Sequence, residues 1–523
     1  MSAGRTLARA GLIVSSLFLV SRILGYVRLV VIGNTFGASS DLDAFFAAFR
    51  LPDLIFQLVA AGALSSALIP IVSSLFTTNE RARAWRVVST IVNLMLSALA
   101  VLAIALFILA PVIVPLITPG FGPAQLDRTI ELTRIMLLSP IFLALGAVAT
   151  SVLNAGGRFA ASAIAPVVYN LAIIAAAVLL APTLGVEGLA LGVVTGSMGH
   201  LLVQLRPLGR LGFRYEPRID AADPQARRAL ALMAPRAVGL GVTQITFIVV
   251  TSLATTLGEG AVSDFNFAFA LLQIPLGIIG VPLGIVLLPT LSRDAAVGRE
   301  SAFADLLTRA LRLLIYVMVP ITVLAAVARR PIVEILFGSG KISPDDLDII
   351  AVTLTAFLIG LTAHALIAVL ARAFYARQDT VTPVIAAVGA VAVNCTLAVV
   401  LVGPLGLQGI ALAIAVAAWG EAVVLLGILR WRLVHFRLTG MGRVGVESVV
   451  GSALAGAAAY WVLGLLDGWL GAGPGRLILV VELAVVSVAF GLVYAGVSAA
   501  LRIPELPSIV GVMVDVIRRP SRS

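Results

Sequence analysis

A chain of 523 residues that is 60% apolar and only 12% charged, with mean hydropathy +1.10, lacks the polar skin of a soluble domain, in which about a quarter of residues are charged. Its net charge of +10 comes overwhelmingly from arginines scattered over many short loops, which excludes one basic patch for nucleic acid. The single cysteine, Cys395, excludes internal disulfides and cysteine metal clusters. His200 and His364 stand without neighbouring ligands, so neither a metal nor a cofactor is expected.

Apolar blocks of roughly 20 to 30 residues follow one another along the chain, each long enough to cross a hydrocarbon core about 30 Å thick. They lack the in/out alternation of barrel strands and predict helices, which satisfy their own backbone in lipid. The first block, 9–35, follows Arg5 and Arg9 in the manner of a signal peptide. It has no small-residue cleavage site and contains Arg22 and Arg28, so it reads as a retained membrane helix. Five more blocks follow, at 43–75, 87–117, 131–154, 159–182 and 185–205. After a polar stretch come 229–257, 262–291, 304–336, 348–375, 381–402 and 405–430, and last 446–466 and 476–501. The expectation is an all-α integral membrane protein of about fourteen spans. Pro52, Pro140, Pro166, Pro235, Pro275, Pro282 and Pro383 fall inside spans, where they kink helices. Gly277, Gly280 and Gly284 surround Pro282 and mark the 262–291 span as a bending element.

The loops alternate in charge. One set carries Arg81, Arg83 and Arg86, then Arg158, Arg206 to Arg228, Arg293 and Arg299, Arg377, Arg430 to Arg443, and Arg518, Arg519 and Arg522. The other set, including Gly37–Asp41, Pro119–Arg128 and Gly338–Asp346, is short and nearly uncharged or mixed. The positive-inside rule places the first set and both termini in the cytoplasm.

An internal repeat organises the spans. Gly185-Val186-Glu187-Gly188-Leu189-Ala190-Leu191 returns as Gly406-Leu407-Gln408-Gly409-Ile410-Ala411-Leu412, 221 residues later. Asn154-Ala155-Gly156 returns at Tyr375-Ala376-Arg377 with the same offset, and Ala67-Leu68-Ile69-Pro70 at Val286-Leu287-Leu288-Pro289 with an offset of 219. Ser21-Arg22-Ile23-Leu24-Gly25 has a looser partner in Pro235-Arg236-Ala237-Val238-Gly239. The expected domains are a six-helix bundle over 1–206, a cytoplasmic linker over 207–228, a second six-helix bundle over 229–435, and two extra helices with a tail over 436–523. An even number of spans per repeat gives a pseudo-two-fold axis along the membrane normal, with a substrate path between the halves.

Ionisable residues inside spans are costly and turn to a cavity or to one another. The densest set is Arg22, Arg28, Asp43 and Arg50, with Asp53 close by, and Arg236 stands at the position matching Arg22. Guanidiniums lining a gap between half-bundles suit a large anion, because each offers a planar fork of donors to phosphate or carboxylate oxygens. A purely structural reading stands beside this: Arg28 snorkels, Asp43 pairs with Arg50, and Asp53 caps a helix begun at Pro52. Glu421, Glu447 and Glu482 are scattered acids with no evident grouping.

Three blocks resemble the MurJ (MviN) family. They are Ser21-Arg22-Ile23-Leu24-Gly25-Tyr26-Val27-Arg28; Asp43-Ala44-Phe45-Phe46-Ala47-Ala48-Phe49-Arg50-Leu51-Pro52; and Gly62-Ala63-Leu64-Ser65-Ser66-Ala67-Leu68-Ile69-Pro70. Arg372-Ala373-Phe374-Tyr375-Ala376-Arg377-Gln378-Asp379-Thr380 extends the likeness into the second half. The resemblance implies fourteen helices of the MOP exporter superfamily in a bacterial inner membrane. It implies flipping of lipid II, the undecaprenyl-pyrophosphate-linked peptidoglycan precursor, to the outer leaflet, and so a part in cell-wall biogenesis and cell shape. By the same resemblance Arg22, Arg28, Asp43 and Arg50 line a cationic central cavity, and the last two helices hold the lipid tail. No bond is made or broken, so the chain is not expected to be an enzyme. Its expected partners are the lipid-linked precursor, membrane lipids and the cell-wall synthesis machinery.

The sequence departs from the family pattern at Leu29, Phe56, Gln57, Ala61 and, above all, Ala270, where the resemblance implies an arginine. Arg236 is the candidate replacement for that charge. Three alternatives stay open at this stage: export of another polyprenyl-linked glycan, cation-coupled drug export on the same fold, and a non-transporting scaffold for cell-wall synthesis.

Overall fold

A computed structural model describes the backbone of residues 3–59, 63–220, 222–433, 435–436, 438–470, 475–507 and 511, and the side chains among these except 3–15, 63–67, 232, 234–240, 439 and 467–470. The described residues are mostly helical, as expected, and no strand occurs among them. The chain begins with α1 (Ala3–Phe36), α2 (Ser40–Val59), α3 (Ala63–Thr77), α4 (Arg81–Ile117), α5 (Pro123–Met136), α6 (Ser139–Ala155), α7 (Phe159–Leu179) and α8 (Ala181–Arg210). An extended connector leads to α9 (Pro224–Thr255). α10 (Ala261–Pro275) then runs through a π turn, Leu276–Gly280, into α11 (Val281–Ala296). α12 (Glu300–Val327), α13 (Arg329–Phe337), α14 (Pro344–Leu358), α15 (Leu361–Ala376), α16 (Val381–Arg432), α17 (Thr439–Leu470) and α18 (Arg476–Ala500) follow. The π turn falls in the Gly- and Pro-rich span marked as a bending element, where a widened turn loosens the regular hydrogen-bond ladder.

Among the described residues, ten helices are long and apolar enough to cross a membrane, or eleven with the pair Pro344–Leu358 and Leu361–Ala376, which is bent by 45°. Fourteen are not reached among the described residues. Val381–Arg432 counts once although Gly406 breaks it, and the described apolar parts of α3 and α9, Leu68–Thr77 and Gly241–Thr255, are short. Three expected spans are broken helices: 131–154 parts at Leu137–Leu138, 304–336 at Ala328 and 348–375 at Ile359–Gly360.

Contacts divide the chain into two units, Met1–Ser263 and Asp264–Ser523. In the first, α7 lies along α8 and α1, α6 packs on α8 and α3, and α2 packs on α5 and α9. Small residues permit the approach, since a Cβ added at Gly192 would come within 2.3 Å of the Ala176 Cβ. In the second, α12 packs on α17, α17 on α18, and α15 on α11 and α16.

Four left-handed turns of the backbone recur at the offset of the sequence repeat. Gly37 and Gly258 have φ of 72° and 110°, Asn79 and Gly298 62° and 73°, Gly157 and Gln378 70° and 61°, and Gly185 and Gly406 57° and 56°. At Gly185 and Gly406 the ψ angles are −140° and −135°, a region open essentially to glycine alone. Each interrupts what is otherwise one helix, so the same residue makes the same break in both copies.

The polar stretch between the repeats is fastened to α4. Phe213 meets Trp85 edge to face at 5.4 Å. The Glu216 and Asp220 amides donate to Ser89 Oγ (3.0 Å) and Thr90 Oγ1 (3.1 Å), and Asn93 Nδ2 donates to the carbonyls of Glu216 (3.0 Å) and Arg218 (2.9 Å). Asp223 ends the segment, capping α9 through the Gln225 and Ala226 amides and accepting from Arg83 Nε at 2.9 Å. Burial pushes the Asp223 carboxyl up, but Arg83 and these amides outweigh it and hold it below the ordinary carboxylate range.

Candidate functional site

The candidate site is assembled in the first unit from α1, α2, α7 and α9. On α1, Arg22 and Arg28 are six residues apart, about 9 Å of helical rise. Arg22 is exposed, and Arg28 is half-buried with its Cζ 5.7 Å from the centre of the Tyr169 ring on α7. Asn170 Nδ2 donates to the Ser21 carbonyl at 3.2 Å, tying α7 to α1 beside these arginines.

On α2 the structure separates residues that the sequence groups together. Asp43 is fully buried, and its carboxylate accepts from the Gly260 amide (2.8 Å), the Ser263 amide (2.8 Å) and Ser263 Oγ (2.6 Å). These are the otherwise unpartnered donors at the start of α10, so Asp43 caps a helix from a distance. Its partner is therefore not Arg50, and its oxygens are engaged by backbone and hydroxyl. Arg50, two turns further along, donates from Nε to Thr251 Oγ1 at 2.8 Å and lays its Cζ 5.4 Å from the Phe247 ring centre, both on α9.

Asp53 does not begin a helix, because α2 continues through Pro52. Its Oδ2 accepts from Gln244 Nε2 at 2.9 Å and its Oδ1 from Gln57 Nε2 at 3.4 Å. Asp53 lies within charge–charge range of Arg50 and of Tyr169, and Tyr169 within that of Arg28. Arg28, Tyr169, Asp53 and Arg50 thus form one polar neighbourhood within otherwise apolar helices, with Gln244 and Thr251 on its α9 side. Sequence reasoning singled out the charges but missed Tyr169, Gln244 and Thr251. Their signal was the same as for the charges: polar side chains within apolar blocks.

The Arg236 side chain lies outside the described residues, as does Ala61. Ala270 is half-buried in α10, in a setting that is aromatic: Phe265 and Phe269 stack at 6.0 Å, and each meets Phe357 edge-on, at 5.4 and 5.6 Å. The second unit does carry a half-buried guanidinium on α15, Arg372. It lies against Gly284, just past the π turn, and donates to the Ala368 carbonyl.

Forked cations, a phenol, an amide and a hydroxyl held among apolar helices can together grip an anion of several oxygens, and Asp53 and Gln244 fix the geometry in its absence.

Two kinds of solved transporter share this fold. A lipid II flippase MurJ in an inward closed conformation matches at a TM-score of 0.78 and 22% identity, over 94% of this chain and 99% of that one. An inward-facing MATE family multidrug resistance transporter of the MOP superfamily matches at 0.65 and 16% identity, over 80% and 96%. The class is therefore a multi-pass α-helical membrane protein with the fold common to these transporters. Within it the assignment is specific: the lipid II flippase MurJ family model matches residues 32–478, and the chain belongs to the MurJ family. Lipid II flippase MurJ of Burkholderia cenocepacia is 33% identical over 94% of this chain and 96% of that protein. The probable lipid II flippase MurJ of Rhizobium meliloti is 34% identical over 84% and 85%.

Proposed function

We propose that the chain moves lipid II from the cytoplasmic to the outer leaflet of a bacterial inner membrane, supplying peptidoglycan synthesis, and that it makes and breaks no bond. The observation that carries this is the Arg28–Tyr169–Asp53–Arg50 neighbourhood, of which Arg50, Asp53 and Tyr169 lie inside the region matched by the family and Arg28 just before it. Two guanidiniums against one carboxylate leave net positive charge for a pyrophosphate, with exposed Arg22 on the same helix. That excess disfavours an organic cation as cargo in the first unit. In this reading Arg22, Arg28 and Arg50 bind the substrate, Arg236 adds charge from the second repeat, and Asp43 keeps α10 in place.

The topology that goes with it has fourteen spans and both termini in the cytoplasm. Residues 1–206 and 229–435 form the two moving bundles, the connector 207–228 joins them, and the helices after 436 carry the lipid tail. The cell-wall synthesis machinery receives the product. Reconstitution into vesicles with labelled lipid II tests the assignment. Lipid II should reach the opposite leaflet faster than in protein-free vesicles, while a hydrophobic organic cation should not be expelled. Transport of the cation without lipid II would overturn it.

A further inference from the structure

α16 folds back at Gly406, and its two arms enclose a groove of about 530 Å³ within the second unit. That volume lies in the range of small-molecule sites, about 300–1,000 Å³. One wall presents Ile385, Gly389 and Val393, the other Gly420 and Val424, and between them stands Glu421. A Cβ built at Gly389 or Gly420 meets no heavy atom within 4 Å, so the space beside both is open.

A carboxylate in such a place needs a counter-charge. No hydrogen bond or ion pair to Glu421 is found among the described residues. The other charged lining residue among those described, Arg432, is already engaged, donating to Asp379 Oδ2 at 2.5 Å and to Thr382 Oγ1 at 3.3 Å, with its Cζ 5.9 Å from the Phe374 ring centre. It is also eleven residues from Glu421, about 16 Å along the helix.

We propose that this groove binds a lipophilic organic cation, a hydrophobic body with a delocalised or amine-borne positive charge, with Glu421 as its counter-ion. Small apolar walls accept the body, the membrane concentrates it, and the unpaired acid selects its sign. The site is separate from the arginine neighbourhood of the first unit and goes beyond the flipping activity.

The test uses the full chain in nanodiscs of zwitterionic lipid, with tetraphenylphosphonium as the probe and tetraphenylborate as its anionic counterpart of the same shape. The cation should bind saturably above empty discs and the anion should not. Glu421→Gln should weaken the cation at least about tenfold. Gly389→Leu, which fills the groove from a position with free space, should do the same, and both variants should keep the wild-type melting temperature. Saturable binding that ignores Glu421→Gln, equal binding of tetraphenylborate, or no saturable binding by the wild type would overturn the proposal. Should Glu421→Gln fail to fold, wild-type affinity in Gly389→Leu overturns it alone.

Discussion

α2 in the first repeat and α10 in the second begin alike and end differently. Asp43 has its counterpart 221 residues later in Asp264, and both are buried at the start of their helices. Beyond that point the same offset sets Leu271 against Arg50 and Ile274 against Asp53, and the surroundings change from a polar neighbourhood to a cluster of Phe265, Phe269 and Phe357. Four left-handed turns, in contrast, recur in both copies. Features that shape the backbone are thus repeated, whereas the Arg50 and Asp53 charges of α2 are not. A fold built twice needs its breaks twice, but one cluster of guanidiniums is enough to recognise one anionic headgroup.

The largest effect should come from the first-repeat arginines. Arg50→Ala removes a charge-assisted donor worth about 1.5–3 kcal/mol, and should slow lipid II translocation in vesicles by about tenfold or more. Arg22→Lys should also impair it, because an ammonium keeps the charge but loses the planar fork. Unchanged rates in both would remove the functional side of the contrast.

Asp43 belongs on the structural side. Asp43→Ala leaves the Gly260 and Ser263 donors without their buried acceptor and should cost about 3 kcal/mol or more, read as a large drop in melting temperature. A stable variant with lost transport would return Asp43 to the substrate site.

The glycine breaks sharpen the likeness of the repeats. Gly185→Ala and Gly406→Ala each force a side chain into a glycine-only conformation, at about 1–3 kcal/mol, and the two losses of stability should be similar. A loss at only one of them would show that the breaks are not equivalent.

The smallest effect concerns Asp379, just before α16. Burial pushes its carboxyl up, but the Thr382 hydroxyl and amide and Arg432 outweigh this and hold it at about 2. A depressed carboxylate contributes stability above its unfolded value near 4 and loses it as pH falls toward 2. Asp379→Asn should therefore be less stable than wild type at neutral pH, and the gap should close between about pH 4 and pH 2. A constant gap across that window would contradict the ion pair.

Helices, repeat and the irregular turn in the 262–291 span were legible because they rest on local rules: apolar block length, recurring Gly motifs, and Pro282 among glycines. The candidate charges were legible as well, since an arginine among apolar residues stands out. What each one touches was not. Asp43 finds its partners 217 and 220 residues away, and Arg50 reaches Thr251, 201 residues on. Seven-residue spacing placed Asp43 and Arg50 on one face of α2, but it carried no information on which neighbour competes for each. The connector was read as a linker because it is polar. Its attachment to Ser89, Thr90 and Asn93 uses backbone groups that every sequence possesses.

The central claim is that the first-repeat arginines are indispensable to anion recognition. Its most direct test is the rate of lipid II translocation by Arg28→Ala/Arg50→Ala in vesicles, with folding checked by melting temperature. The account predicts a folded protein whose rate falls to that of protein-free vesicles. A folded double variant that moves lipid II at the wild-type rate would contradict it.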